Sequence, residues 1–171
     1  LMGLQESTSK QEYTNADTFM HFSTPPYPTK LGCTLMVCTS IPYATTPNKQ
    51  HYFKYQHFRV LHKSPRLLIV KLKAPFLDEV VYVAHAPHIQ SNNTPAQNWW
   101  DNYHRLASKW PPTMIFADFN AKINGKLATP GIGTIAPPTT QKDDEDYNSA
   151  QLRLAMAAND LTCINTTIQH Y

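Results

Sequence analysis

Apolar residues along the chain fall into short runs separated by polar stretches rich in Ser, Thr, Asn and Pro. Runs of this kind, bounded by turn-forming residues, are typical of β-strands. They predict strands at residues 1–5, 31–41, 52–61, 66–73 and 79–84. Because residues 74–78 contain Pro75 as a turn residue, the last two strands form a predicted hairpin. The polar stretch after the first strand is predicted to be a loop.

The pattern changes to helical spacing after residue 93. Thr94 followed by Pro95 is a favourable helix start, and the pair Pro111-Pro112 ends the pattern. Between them, large apolar residues recur every three or four positions, at Trp99, Tyr103, Leu106 and Trp110. This spacing predicts one amphipathic helix.

The remainder of the chain returns to mixed structure. Residues 113–117 form a predicted buried strand, residues 150–158 a helix and residues 161–165 a further strand. Between them, residues 125–148 are rich in Gly and Pro and end in an acidic cluster, so they predict a flexible surface loop. The order is β-rich with interspersed helices, which indicates a mixed α/β (α+β) fold.

Composition places the chain among globular proteins. With 171 residues, 42% hydrophobic and 16% charged, it suits one domain with a hydrophobic core, covering residues 1–171. The formal net charge of +3 is compatible with a polyanionic partner but does not require one. Three cysteines without CxxC spacing favour reduced core thiols, and no run is long enough to span a bilayer. We therefore expect an intracellular, soluble protein without a membrane partner.

Two polar residues lie two positions apart at the end of the strand predicted for residues 113–117. Asp118 and Asn120 would point to one face of the sheet, with Phe119 on the other. A carboxylate there can hold a hard cation, and a neutral amide can donate to a phosphate oxygen. The simpler interpretation is an Asx turn at a strand end, and it is preferred for the pair taken alone.

Glu6 and His85 also follow apolar strands. A Glu in this position is commonly a solvated strand end. His85 has three interpretations: a proton donor, a phosphate ligand or a satisfied core residue, and the last is preferred in isolation. The eight histidines contain no HExxH pattern or close Cys/His group, so zinc is excluded as the metal.

Four segments occur in an order that resembles the endonuclease/exonuclease/phosphatase superfamily. They are Leu4-Gln5-Glu6-Ser7, the run VVYVAHAPH at 80–88, the run IFADFNAKI at 115–123 and the run LTCINT at 161–166. The closest resemblance is to the apurinic-type endonuclease domain of non-LTR (LINE-type) retrotransposons. It extends over almost the whole chain.

The resemblance implies a four-layered sandwich of two β-sheets flanked by helices. It implies that Glu6 binds the metal, that Asp118 orients the attacking water, that Asn120 contacts the phosphate and that His85 donates a hydrogen bond at the scissile phosphate. Mg²⁺ would be the cofactor, with Mn²⁺ as a substitute, and DNA the partner. A reverse transcriptase domain in the same parent polypeptide and a location in the nucleus follow from the family.

Several positions depart from the family pattern. Ala117 stands where Gly is usual, and His88 stands where Asn is usual. A phosphate contact by His88 would therefore depend on protonation. Lys122 is a further candidate for substrate binding, with a solvated loop as the alternative.

The resemblance also predicts a domain that is incomplete at both ends. The family's early Asn would precede Leu1, and its closing Ser-Asp-His segment would follow Tyr171. Since that segment supplies catalytic groups, we expect the chain as given to be inactive or severely weakened.

Other functions remain open at this stage. Inositol-polyphosphate phosphatases and deadenylating exonucleases share the Asp-x-Asn pattern, although the phosphatases usually continue with Tyr-Arg where this chain has Ala121-Lys122. A decayed remnant that binds nucleic acid without cleaving it is a second alternative. A purely structural domain is a third.

Overall fold

The computed structural model describes residues 1–8, 13–15, 17–24, 32–89, 94–122 and 146–164. The chain divides into two compact units. The first, here called the sandwich unit, comprises Leu1–His85 and Pro112–Asp118, and the second, the helical unit, comprises Ala86–Pro111 and Phe119–Tyr171. The single domain expected for residues 1–171 stays a prediction.

The sandwich unit contains the strands of the described chain. They are β1 (Met2–Ser7), β2 (Tyr13–Asn15), β3 (Phe19–Ser23), β4 (Gly32–Cys38), β5 (Ala44–Thr46), β6 (Lys49–His51), β7 (Phe58–Ser64), β8 (Leu67–Ala74), β9 (Leu77–His85) and β10 (Met114–Asp118). A 3₁₀ turn, Tyr55–His57, precedes β7. The helical unit contains α1 (Thr94–Lys109) and α2 (Tyr147–Ala158).

Two four-stranded sheets make up most of the sandwich unit. The first sheet has the order β1-β4-β3-β2 and is antiparallel throughout. The second has the order β10-β9-β8-β7, in which β7, β8 and β9 are antiparallel and β10 runs parallel to β9. A parallel neighbour requires a long crossover connection, and the chain between β9 and β10 contains α1. The strands β5 and β6 form a separate hairpin.

A single hydrophobic core joins the two sheets. The first sheet contributes Met20, Phe22, Cys33, Leu35 and Val37, and the second contributes Phe58, Leu68, Val70, Leu72, Val81 and Val83. These residues alternate along their strands, as expected when one face of each sheet packs against the other. The opposite face of β8 and β9 is buried as well, at Leu67, Ile69, Tyr82 and Ala84. The mixed α/β content and the sandwich of two sheets are therefore as predicted.

The first and last strands of the sandwich unit approach each other very closely. A Cβ atom built on Gly3 would lie 2.2 Å from Cβ of Phe116, so only glycine fits at this position of β1. Next to it, the side-chain amide of Gln5 donates a hydrogen bond of 3.1 Å to the carbonyl oxygen of Phe116 in β10. The edges of the two sheets are thereby fixed to each other.

The helical unit is held by aromatic packing and by polar caps. In α1 the buried positions are Ala96, Trp100, Tyr103, Leu106 and Ala107. The buried stripe therefore includes Trp100, whereas Trp99 and Trp110, which were expected on it, are half-buried. The carboxylate of Asp146 caps α2 by accepting a 2.8 Å hydrogen bond from the backbone nitrogen of Ser149.

Several predicted boundaries are wrong. The strand expected at 52–61 begins only at Phe58, because the 3₁₀ turn precedes it. The strands β2 and β3 lie in a segment predicted to be a loop. The strand expected at 161–165 does not form: residues 161–164 contain an isolated bridge and a single 3₁₀ residue, and residue 165 lies outside the described residues.

The predicted surface loop at 125–148 lies largely outside the described residues. Its last three residues are described, and there Asp146 caps α2 while Tyr147 begins the helix. Within the described ranges, neither helix has the length and apolar character that crossing a membrane requires.

We predict that Gly3→Ala destabilises the sandwich unit by about 1–3 kcal/mol, because the added methyl group would overlap Phe116 and force the strands apart. Chemical denaturation in urea measures the free energy of unfolding. The control is Met2→Ala at an exposed neighbouring position, where a change within about 0.5 kcal/mol is expected. Equal effects of both substitutions would contradict the close approach of β1 and β10.

The cysteines give a second prediction. Burial raises the pKa of Cys33 to about 12, against a smaller lowering effect of Arg66, so its thiol stays protonated at pH 7.5. A hydrogen bond from Ser40 lowers the pKa of Cys38, which favours its reactive thiolate. Iodoacetamide should therefore alkylate Cys38 well before Cys33 in the native protein, as followed by peptide mass spectrometry. In denaturant the two alkylation rates should converge. Equally fast alkylation of Cys33 and Cys38 in the native protein would contradict the burial of Cys33.

Candidate functional site

Glu6 lies where β1 departs from regular strand geometry. The pairing of β1 with β4 shifts by one residue between Leu4 and Ser7, which marks a β-bulge. Within this bulge Glu6 has a φ of 56°, a left-handed conformation that side chains other than Gly, Asn and Asp seldom adopt. The side chain is exposed. A bulge of this kind redirects a side chain at the end of a strand, and strained backbone of this type is frequent at functional sites.

The ends of β9 and β10 bring two further predicted residues side by side. Asp118 and His85 are register partners across these parallel strands. Asp118 is exposed, whereas the side chain of His85 is only 3% exposed. Asp118 can therefore meet solvent or a ligand directly, and His85 occupies the buried position next to it.

Arg66 is a charged neighbour that the sequence analysis did not single out. It lies in the two-residue turn between β7 and β8, where its carbonyl accepts a 3.0 Å hydrogen bond from the backbone nitrogen of His85. Its Nη1 donates one of 3.4 Å to the carbonyl of His85. The sequence signal that could have identified Arg66 is the predicted hairpin. When its two strands are paired in register, the turn that precedes the first strand lies beside the end of the second, β9.

The surroundings of Arg66 include Glu6. Burial lowers the pKa of Arg66, while the neighbouring Cys33 and Glu6 act in the opposite direction. Arginine remains cationic despite such a shift, since its ordinary pKa lies far above neutral pH. Arg66 thus supplies positive charge between Glu6 and the pair His85 and Asp118.

The sandwich unit therefore gathers three predicted residues, Glu6, His85 and Asp118, at one end of its two sheets. They lie at the ends of β1, β9 and β10, and the contact of Gly3 and Gln5 with Phe116 holds β1 against β10 just before those ends. Among the described residues, no three His, Cys, Asp or Glu side chains are close enough together to form a metal site. The cluster is two exposed carboxylates, a buried histidine and an arginine.

The helical unit holds Asn120. Its φ of 47° is left-handed, and β10 ends at Asp118, so the strand alternation expected to align Asp118 with Asn120 does not continue. The side-chain amide of Asn120 donates a 2.7 Å hydrogen bond to the carbonyl of Ala86. Asn is among the residues that tolerate this backbone conformation best. The position of Asn120 is consequently fixed through both its backbone and its side chain.

Asn148, in the first turn of α2, organises this segment and was not predicted. It is fully buried. Its Oδ1 accepts a 2.9 Å hydrogen bond from Nε1 of Trp100, and its Nδ2 donates to the carbonyl oxygens of Pro87, at 2.9 Å, and Asn120, at 3.2 Å. One side chain thereby links α1, the segment after β9 and the segment after β10. Nothing in the local sequence distinguishes Asn148 from a solvated residue at a helix start.

The remaining predicted residues lie next to these contacts. The backbone nitrogen of Lys122 donates to Oγ of Ser149 at 2.8 Å, and that hydroxyl lies 2.7 Å from Oδ1 of Asp146. The side chains of Lys122 and His88 are exposed. Both side chains are therefore accessible to a polyanion. The backbone is held at Lys122 by Ser149 and next to His88, at Pro87, by Asn148.

Phe119 is anchored by aromatic packing. Its ring stacks on Trp100 with centroids 5.4 Å apart and an interplanar angle of 20°, and it meets Trp99 and Tyr103 edge-on at 6.4 and 6.1 Å. Contacts of this type add to the stabilisation from burial alone. The residue between Asp118 and Asn120 thus has a structural role in the helical unit.

Comparison with known proteins yields one structural neighbour. No protein-family model matches the chain, and no curated protein matches it significantly. Among solved structures, the chain is similar to the endonuclease domain of TRAS1, a telomere-specific non-LTR retrotransposon, with a TM-score of 0.47 and 11% identity. The match covers 82% of this chain and 52% of that structure, so the chain spans about half of its neighbour's length.

We predict that Asn148→Ala lowers the stability of the helical unit by about 2–4 kcal/mol. The substitution leaves one buried donor and two partly buried acceptors without their hydrogen bonds, and a buried group costs about 1–3 kcal/mol when nothing replaces its partner. Unfolding in urea, followed by tryptophan fluorescence, measures the change. Asn98→Ala on the exposed side of α1 is the control and should change little. A loss no greater than that of the control would show that this network contributes no net stability.

Proposed function

We propose that this chain belongs to a metal-dependent phosphodiesterase that nicks DNA, an endonuclease of the retrotransposon type. The observation that carries the proposal is the placement of two exposed carboxylates, Glu6 and Asp118, at the ends of strands from two different sheets. Arg66 and His85 lie beside them. Carboxylates next to the guanidinium group of Arg66 suit a site that binds a metal ion and a phosphate together.

The donor set fits Mg²⁺ by its chemistry. This ion prefers oxygen ligands and is commonly held by one or two carboxylates while it keeps several waters. Glu6 and Asp118 supply such oxygens, and Mn²⁺ suits the same ligands. When bound, the ion would polarise the phosphodiester and neutralise charge that develops on its oxygens.

Each protein group then has a defined task. Asp118 accepts a hydrogen bond from the attacking water and orients it in line with the scissile bond. Arg66 attracts the phosphate electrostatically, and His85, the register partner of Asp118, donates a hydrogen bond at the scissile phosphate. Within the helical unit, the amide of Asn120 and the exposed side chains of Lys122 and His88 are proposed to contact phosphate groups of the DNA.

The biological setting follows from this activity. DNA is the partner, and a reverse transcriptase domain in the same parent polypeptide would use the nick that the endonuclease makes. An enzyme of this kind acts inside the cell, in the nucleus, where chromosomal DNA lies. The competing function is a remnant that binds nucleic acid without cleaving it, which the absence of a three-ligand cluster in the described part of the chain also permits.

The test is Mg²⁺-linked stabilisation combined with plasmid nicking. Because an ion that binds only the folded state stabilises it, Mg²⁺ at about 100 times its Kd should raise the Tm by roughly 5–10 °C. Glu6→Gln and Asp118→Asn should each remove this rise. Slow conversion of supercoiled to nicked plasmid should require Mg²⁺ and should be lost in Asp118→Asn.

The matched control is Asp101→Asn, which removes an exposed carboxylate from α1 and should retain the Mg²⁺ effect. DNA binding without any Mg²⁺-dependent rise in Tm would refute the proposed metal site and favour the remnant. Cleavage of oligoadenylate or a phosphoinositide in preference to plasmid DNA would reassign the substrate within the same chemistry.

A further inference from the structure

A pocket opens at the edge of the sandwich unit where β3 and β7 lie. Its volume is about 520 Å³, which is within the range of small-ligand sites. The lining residues are Phe22, Ser23, Tyr55, Val60, Leu61, His62 and Lys63. The candidate site described above does not include any of them.

A planar ring forms one wall of this pocket. Tyr55 stacks on Phe22 with ring centroids 5.8 Å apart and an interplanar angle of 16°. Phe22 is buried in the core and also packs against Phe58, so the stack has a rigid base. Tyr55 is nevertheless 57% exposed. A supported aromatic ring with an accessible surface is suited to stacking with a second planar ring.

The polar lining is basic. Lys63 is exposed and His62 is half-buried, and no carboxylate occurs among the lining residues that the structure describes. The pairing of β7 with β8 shifts between Val60 and His62, so a bulge shapes this wall of the pocket. The buried hydroxyl of Ser23 is held 2.8 Å from that of Thr34. Such a lining favours a ligand that combines a flat apolar ring with an anionic group.

Lys63, which lines the pocket, lies at the same end of the second sheet as Asp118. Lys63 pairs with Leu68, and Leu68 pairs with Val83, two residues before His85. From β10 to β7 the sheet crosses three strand spacings, or about 14 Å. A nucleic-acid strand advances about 3.4 Å per stacked nucleotide. A strand whose phosphate lies at Asp118 therefore reaches Lys63 roughly four nucleotides away.

We propose that this pocket binds one unpaired nucleotide of a nucleic-acid strand, with its base stacked on Tyr55 and its phosphate near Lys63. The assignment rests on the proposed function, because it takes the strand that is cleaved at Asp118 as its ligand. The pocket would add recognition of single-stranded nucleic acid at β7, the edge of the second sheet opposite β10. The base is held by its π-face, so the pocket selects unpaired over paired DNA more than one base over another.

Fluorescence anisotropy tests this assignment with a labelled single-stranded 12-mer in EDTA, where hydrolysis cannot interfere. Tyr55→Leu should weaken binding about five- to 100-fold, since stacking on an aromatic ring is lost. Tyr55→Phe keeps the ring and should bind like the wild type. Lys63→Gln should lower the slope of log Kd against log salt concentration by about 0.7 to 1. A 12-mer that lacks all bases should bind wild type and Tyr55→Leu equally.

The matched controls are Tyr52→Leu and Lys73→Gln, an exposed tyrosine and an exposed lysine outside the pocket. Both should retain wild-type affinity and salt dependence. The assignment would be overturned if Tyr55→Leu bound the 12-mer with wild-type affinity or if Tyr55→Phe lost binding. It would also be overturned if polyglutamate displaced the 12-mer as well as an unlabelled 12-mer does, or if the wild type did not bind the 12-mer.

The two proposals fail separately. If binding of the 12-mer depends on Tyr55 but the Tm does not respond to Mg²⁺, the nucleotide pocket is supported and the nuclease activity is refuted. If the Tm responds to Mg²⁺ in a way that depends on Asp118 but binding of the 12-mer does not depend on Tyr55, the nuclease activity is supported and the nucleotide pocket is refuted.

Discussion

The contact between Gly3 and Phe116 determines how the two sheets of the sandwich unit meet. A Cβ atom on Gly3 would lie 2.2 Å from the Cβ of Phe116, so this approach of the two strands requires a residue without a side chain. The bond from Gln5 to the carbonyl of Phe116 sets their relative position along the strands. Since Glu6 follows Gln5 and Asp118 lies two residues after Phe116, the same contact places both carboxylates. The proposed chemistry therefore depends on a glycine that has no chemical group of its own.

The backbone at the proposed site is not relaxed. Of the four described non-glycine residues with positive φ, two are Glu6 and Asn120, which the resemblance had selected for chemical reasons. Each is over-determined by its surroundings: Glu6 by a bulge between paired strands and Asn120 by its bonds to Ala86 and Asn148. Packing that enforces strained geometry limits side-chain motion, and this restriction suits a site that must hold charged groups in place before a substrate arrives.

The sequence predicts features that depend on local pattern. The hairpin of β8 and β9, the helix from Thr94 and the strand ending at Asp118 follow from apolar runs and turn residues. The strand β3 was missed because its apolar Met20 and Phe22 lie in a polar segment, and only pairing with β4 makes them a strand. Arg66 and Asn148 were missed for a related reason. Their importance arises from partners far away in sequence, which no local periodicity encodes.

The bond between Gln5 and Phe116 joins residues that are 111 positions apart. The entropy of closing a loop rises with its length, and folds rich in such distant pairings form slowly. The local hairpin of β8 and β9 can form early, whereas β1 can dock on β10 only after the intervening chain is ordered. β10 is an edge strand of the second sheet, and before β1 packs against it this edge is uncovered; uncovered edges are sites at which strands of other molecules add. The contact that aligns the carboxylates is thus also the one whose delay leaves a nascent chain most exposed to misassembly.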